Sequence, residues 1–235
     1  MFEKAKKYVK NNKRILFLLY APLYMFWFTS LEKWKDRDWN IVHCALDDKT
    51  PFIDLFIIPY YLWFVFVAFF CIYFYFKAEA SECVKMYASL EIGMTITLII
   101  YTIWPNAVHL RPDVIDEHGL CAKLVRNIWN IDTDTNVCPS LHVLNTLIIL
   151  VAYYHCGQFK KKHLANILVT VLAILICVST GFLKQHSWVD VIAAVIMCAL
   201  LSLLVYVPKW GAKKDSNVSK GETADITESK THDIA

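Results

Sequence analysis

The chain has 235 residues, of which 57% are hydrophobic and only 19% charged, with a mean hydropathy of +0.41. A soluble domain carries about 25% charged residues; here the charges fall in short clusters between long apolar runs, as a bilayer imposes on a helical chain. A net charge of +3 without an extended basic stripe argues against a nucleic-acid partner.

In chain order, residues 1–14 form a basic arm carrying Lys4, Lys6, Lys7, Lys10, Lys13 and Arg14. The apolar stretch 15–31 follows. This layout resembles a signal peptide, but the stretch is bulky, and Trp34, Lys35 and Asp36 stand where a small-residue cleavage site belongs. It reads as a retained anchor. Five further apolar segments cover 55–76, 86–104, 141–154, 164–183 and 189–207. The segment 55–76 is aromatic and uncharged, and 86–104 carries Glu91 near one end, read as interfacial. The segment at 141–154 is short, yet its neighbours cannot reconnect without a crossing there. The predicted fold is therefore an all-α, polytopic membrane protein with six transmembrane helices over 15–207. Residues 208–235 are polar and read as a disordered tail.

Lys and Arg set the orientation. The amino-terminal arm, Lys77 and Lys85, the triplet Lys160, Lys161 and Lys162, and Lys209, Lys213 and Lys214 all fall on one side of a six-crossing chain. That side is predicted to be cytoplasmic, with both termini. The opposite, extracytoplasmic side then holds 32–54, the long loop 105–140 and the turn 184–188. Cys44, Cys121 and Cys138 lie in these polar loops and can either pair or stay free there. No CxxC pair points to zinc among the eight cysteines.

Ionisable residues at membrane depth are candidates for function, and here three distant stretches converge on one face. Arg111-Pro112 lies in the long loop. Cys138-Pro139-Ser140-Leu141-His142 opens the fourth segment. Ser179 to Asp190, including Thr180, Lys184 and His186, spans the turn between the last two. His186 and Asp190, four apart at a helix start, share a face. A carboxylate on Nδ1 fixes the imidazole tautomer and leaves Nε2 as a nucleophile. His142 can protonate a leaving oxygen and later activate water. Arg111 offers a planar fork for phosphate oxygens, and Ser140, at a helix start, adds donors for an anion. Ser179, Thr180 and Lys184 are further candidate donors. These groups suffice for phosphoryl transfer through a phosphohistidine, with no metal or cofactor required. Asp132 and Asp134 read as loop residues, and His43, His109, His118, His155 and His163 as loop or interface residues.

At these residues the sequence resembles the type 2 phosphatidic acid phosphatase (PAP2) superfamily, whose signatures are Lys-x6-Arg-Pro, Pro-Ser-x-His and Ser-Arg-x5-His-x3-Asp. Arg111-Pro112 matches the end of the first, Pro139-Ser140-Leu141-His142 the whole second, and Ser179, His186 and Asp190 the third. The resemblance spans about residues 50–207. It implies a PAP2-type helical bundle with His186 as nucleophile, Asp190 as its orienting partner and His142 as general acid. Arg111, Ser140 and Ser179 would be phosphate contacts. Trp104 replaces the lysine of the first signature, and Thr180 the arginine of the third. Each change removes a cation, and Lys184 is a candidate to replace one.

The expected function is a multi-pass cell-membrane enzyme hydrolysing a lipid phosphate or pyrophosphate monoester, such as phosphatidic acid or a polyprenyl pyrophosphate. Its partners are that substrate and the bilayer. The relaxed basic positions and Pro-Ser-Leu-His-Val resemble the inositol phosphorylceramide synthase-like branch, which keeps headgroup transfer between lipids as an alternative. A third reading is an inactive relative that binds or transports lipid.

Overall fold

A computed structural model describes residues 14–113 and 119–207 of the chain. The basic arm before Arg14, His118 and the tail from 208 lie outside the described residues. Helix α1 (Ile15–Lys33) is followed by a two-residue strand β1 (Asn40–Ile41), a short helix α2 (Ala45–Lys49) and a 3-10 turn at Asp54–Phe56. Then come α3 (Ile57–Phe76), α4 (Ala80–Ile103), β2 (Asn106–Ala107), α5 (Leu120–Ile131), α6 (Leu141–His155), α7 (His163–Phe182) and α8 (Trp188–Tyr206).

Five helical stretches among the described residues are long and apolar enough to cross a membrane: Ile15–Lys33, Asp54–Phe76, Ala80–Ile103, His163–Phe182 and Trp188–Tyr206. The sixth expected span, α6, has 15 residues, about 22 Å of helix against ~30 Å of hydrocarbon. Its position explains this. Helices α3, α4, α7 and α8 all pack on α6, and ten of its residues are buried. Protein rather than lipid surrounds it, so it need not match the bilayer by its own length. The main core gathers around it: Val143, Leu144, Ile148, Ile149 and Tyr153 meet Phe66, Phe70 and Phe74 of α3 and Met86 and Leu90 of α4.

Helix α4 starts at Ala80, earlier than the apolar pattern alone indicates, because Glu79 and Glu82 form a capping box at its amino terminus. Glu91 therefore sits in mid-helix rather than near an end, and its Oε1 is buried without a hydrogen-bond partner. Helix α1 leans on α4 through Tyr20 to Thr95 (2.8 Å) and Trp27 Nε1 to Thr102 (3.1 Å). Most of its other large side chains are exposed, as a lipid-facing helix requires.

At the end of the bundle where α6 and α8 begin, the loops are knitted together. Strands β1 and β2 pair in parallel, Asn40 with Asn106 and Ile41 with Ala107. The fully buried Asn106 is the hub. Its Oδ1 accepts from the amides of Val137 (2.8 Å) and Cys138 (2.7 Å), and its Nδ2 donates to the carbonyl of Trp104 (2.9 Å). From α1, Glu32 accepts from Thr133 and from Asn136 Nδ2 (2.8 Å). These bonds fix the chain leading through the cis Cys138–Pro139 peptide into α6. All eight cysteines, including Cys44, Cys121 and Cys138, are free thiols.

Candidate active site

Two helix starts carry the candidate histidines, and each is built by its own motif residues. Ser140 is the N-cap of α6, its Oγ accepting from the amide of Val143 at 3.4 Å. Ser187 caps α8 in a capping box in which the Asp190 carboxylate accepts from the Ser187 amide at 2.9 Å. The same Asp190 oxygen, Oδ2, lies 3.3 Å from Nδ1 of His186. Asp190 thus terminates a helix and orients an imidazole with one atom. The amide of Ser140 donates to the carbonyl of Asp190 at 3.2 Å, locking the two helix starts together.

The imidazoles of His142 and His186 stand 5.7 Å apart between ring centroids, at 61°. Both open on one cavity with a polar wall of Asp132, Thr133, Asn136 and Gln185 and an apolar wall of Phe28, Tyr101 and Leu141. The Tyr101 hydroxyl donates to the carbonyl of Pro139 at 2.6 Å. The rings of Tyr60 and Trp63 lie 4.6 Å and 4.3 Å from that of His142.

Arg111 reaches this cluster from the long loop. Its Nη2 donates to Gln185 Oε1 (2.6 Å) and to the carbonyl of Asp132 (2.7 Å), and Nη1 to the carbonyl of Trp129 (3.2 Å). Its guanidinium also covers the Trp129 ring at 5.1 Å. Burial lowers its pKa from the ordinary value, with the carboxylates of Asp134 and Asp132 opposing that shift. Cys138 lies beside Asp190; burial first, and that carboxylate second, push its thiol up to about 12.

Four of the residues singled out from the sequence are therefore brought together: Arg111, His142, His186 and Asp190. The others are turned elsewhere. Ser179 and Thr180 are fully buried, and their hydroxyls donate back to the carbonyls of Ile176 (2.7 Å) and Cys177 (2.8 Å). Lys184, at φ 59°, sends its Nζ to the carbonyls of Asp47 (2.7 Å) and Thr50. It ties the turn to α2 and does not line the cavity. Neither Trp104 nor Thr180 reaches the cavity, and none of its lining residues is Lys or Arg.

The clasp on the His186 turn comes from the first loop. Asp47 accepts from Ser187 Oγ (2.6 Å) and from the amides of Trp188 (2.9 Å) and Cys44 (2.8 Å). Trp188 Nε1 donates to Thr50 Oγ1 at 2.8 Å. Burial raises the Asp47 carboxyl, but these bonds outweigh it and leave its pKa below the ordinary value.

Sequence reasoning missed Asp132, Gln185 and the α3 aromatics Tyr60 and Trp63. Asp132 reads as a loop residue because nothing local ties it to His142, ten positions on. Gln185 sits inside the third signature, beside the histidine, and that adjacency was the available signal. Tyr60 and Trp63 are hidden in an aromatic run that satisfies lipid and core packing equally.

No curated protein and no solved structure matches the chain. The family model described as the PAP2 superfamily matches residues 86–213, more than half of the sequence and including all three signatures: this chain belongs to the PAP2 superfamily.

Proposed function

We propose that the protein is a membrane lipid phosphatase that hydrolyses a lipid phosphate or pyrophosphate monoester through a phosphohistidine on His186. PAP2 superfamily members are generally phosphatases or phosphotransferases acting on phosphate esters. The observation that carries the reading is the pair of imidazoles 5.7 Å apart, one backed by Asp190 at 3.3 Å, opening on a common cavity.

The chemistry follows from that geometry. Asp190 accepts from Nδ1 of His186, which leaves the Nε2 lone pair free to attack phosphorus. As the N–P bond forms and the P–O bond to the lipid alcohol breaks, His142 as imidazolium gives its proton to the departing oxygen. Water then attacks phosphorus, His142 takes the water proton, and the N–P bond breaks to release phosphate. Gln185, which lines the cavity, and Arg111 behind it, bonded to its Oε1 at 2.6 Å, are the donors offered to the phosphoryl oxygens. Ser140 acts through its cap, holding His142 at the start of α6.

In this reading α6 completes six crossings, and the lysine-rich loop 160–162 faces the cytoplasm. The site then opens on the extracytoplasmic side of the cell membrane. The cavity's lack of Lys and Arg, with Trp104 and Thr180 at the family's basic positions, favours one second reading: headgroup transfer, with a lipid hydroxyl in place of water. Phosphate release from phosphatidic acid and polyprenyl pyrophosphate by detergent-purified protein in EDTA, beside His186→Ala, tests the proposal. Release that the variant loses supports it; release that survives the substitution overturns the covalent step.

A further inference from the structure

Asp132 ends helix α5 and places a second carboxylate in the site, facing the other histidine. Its Oδ2 lies 3.8 Å from Nε2 of His142. The same oxygen accepts a short hydrogen bond from the Tyr60 hydroxyl and another from Gln185 Nε2 at 3.3 Å. The carboxylate is therefore held in place by two donors that belong to different elements. Gln185 in turn accepts from Arg111 at 2.6 Å, and the Arg111 Nη2 also holds the Asp132 carbonyl. One chain of bonds thus runs from the arginine of the first signature through Gln185 to the carboxylate beside the histidine of the second.

We propose that Asp132 is a positioning residue that favours the protonated form of His142, the form needed to protonate the leaving oxygen. This rests on the phosphohistidine reading above. An opposite charge within ~4–6 Å favours the protonated ring, and so opposes the burial among aromatic side chains that disfavours it. The other groups facing His142 are Tyr60 on α3, Tyr101 on α4, and His186 with Asp190 at the start of α8. His186 opposes a second positive charge, and Glu32 of α1 and Arg111 act at longer range through Thr133 and Gln185. Among the described residues, Asp132 is the carboxylate placed within 4 Å of a His142 ring nitrogen, at 3.8 Å.

The test is a titration of His142 in full-length protein carrying isotope-labelled imidazoles, with the resonance assigned through His142→Gln. Asp132→Asn keeps the volume and an acceptor for Tyr60 and Gln185 but removes the charge. His142 is expected to titrate about 1–3 pH units lower in this variant; an unmoved titration overturns the proposal. Tyr60→Phe removes a donor from the carboxylate and is expected to move the titration upward. Opposite movements exclude a shared loss of packing, and if Asp132→Asn fails to fold, the Tyr60→Phe titration decides alone.

Kinetics give a second reading. With phosphatidic acid, the alkaline limb of kcat/KM should move to lower pH in Asp132→Asn. With p-nitrophenyl phosphate, whose leaving group needs little protonation, the loss should be far smaller. A uniform loss across pH and on both substrates overturns the role. His186→Ala, assayed beside them, tests the phosphohistidine itself, while the titration reports on Asp132 whether or not that step survives.

Discussion

Oδ2 of Asp190 serves His186 Nδ1 at 3.3 Å and the Ser187 amide at 2.9 Å, so the orientation of the proposed nucleophile and the start of α8 depend on one oxygen. Asp190→Asn is expected to lower kcat by about 10²–10⁴-fold, the usual contribution of a positioned acid–base group, with KM little changed. Replacing the charged acceptor of the Ser187 amide by a neutral one should cost roughly 1 kcal/mol in addition. Steady-state kinetics and thermal unfolding in detergent separate the two effects.

Asp47 lies outside the spans and clasps the His186 turn with two hydrogen bonds, from Ser187 and Trp188, while a third from the Cys44 amide caps its own helix. Asp47→Ala leaves the Ser187 hydroxyl and the Trp188 amide without their partner, a loss of about 1–3 kcal/mol. The folded carboxyl titrates below its ordinary value of 3.8. Its contribution is therefore complete above that value and disappears as pH falls through the lower, folded one. Melting curves against pH should show the wild-type advantage over Asp47→Ala shrinking only on the acid side.

Lys184 spends its ammonium on two backbone carbonyls of the first loop. Lys184→Ala is expected to lower the melting temperature while leaving KM for phosphatidic acid unchanged. A raised KM at constant kcat would instead place the ammonium on the substrate.

Gly181 gives the Trp188 indole its seat. A Cβ there would come within 3.1 Å of the ring, and the ring is pinned by its bond to Thr50. Gly181→Ala should therefore cost about 1–3 kcal/mol through overpacking, readable in the melting temperature and in Trp fluorescence.

The proposed orientation has its own check. In a Cys44→Ser, Cys121→Ser background, Asp113→Cys should react with an impermeant maleimide in intact cells, and Lys161→Cys only after permeabilisation. The reverse pattern would place the site on the cytoplasmic face.

Much of this architecture was legible along the chain, because lipid imposes a one-dimensional rule: a crossing helix must be a long apolar run. The stretches around α1, α3, α4, α7 and α8 obey it. The Arg111, His142, His186 and Asp190 set was legible for a related reason, since the order of the apolar runs brings these ionisable groups to one membrane face, where they are candidates for function. The central helix α6 obeys the rule least, because protein surrounds it, and the start of α4 was displaced by a capping box that hydropathy does not register. What only the tertiary structure decided was where side chains of similar chemistry point. Lys184 and Thr180 look like phosphate donors in sequence, yet Lys184 is drawn to the carbonyls of Asp47 and Thr50 and Thr180 to its own helix. Asp132 and Gln185 look incidental, yet the packing of α5 and the bond to Tyr60 set them beside His142. Spacing along a helix fixes contacts such as His186 with Asp190. Contacts between loops depend on how separate elements pack and which buried donors need partners, and neither is written locally.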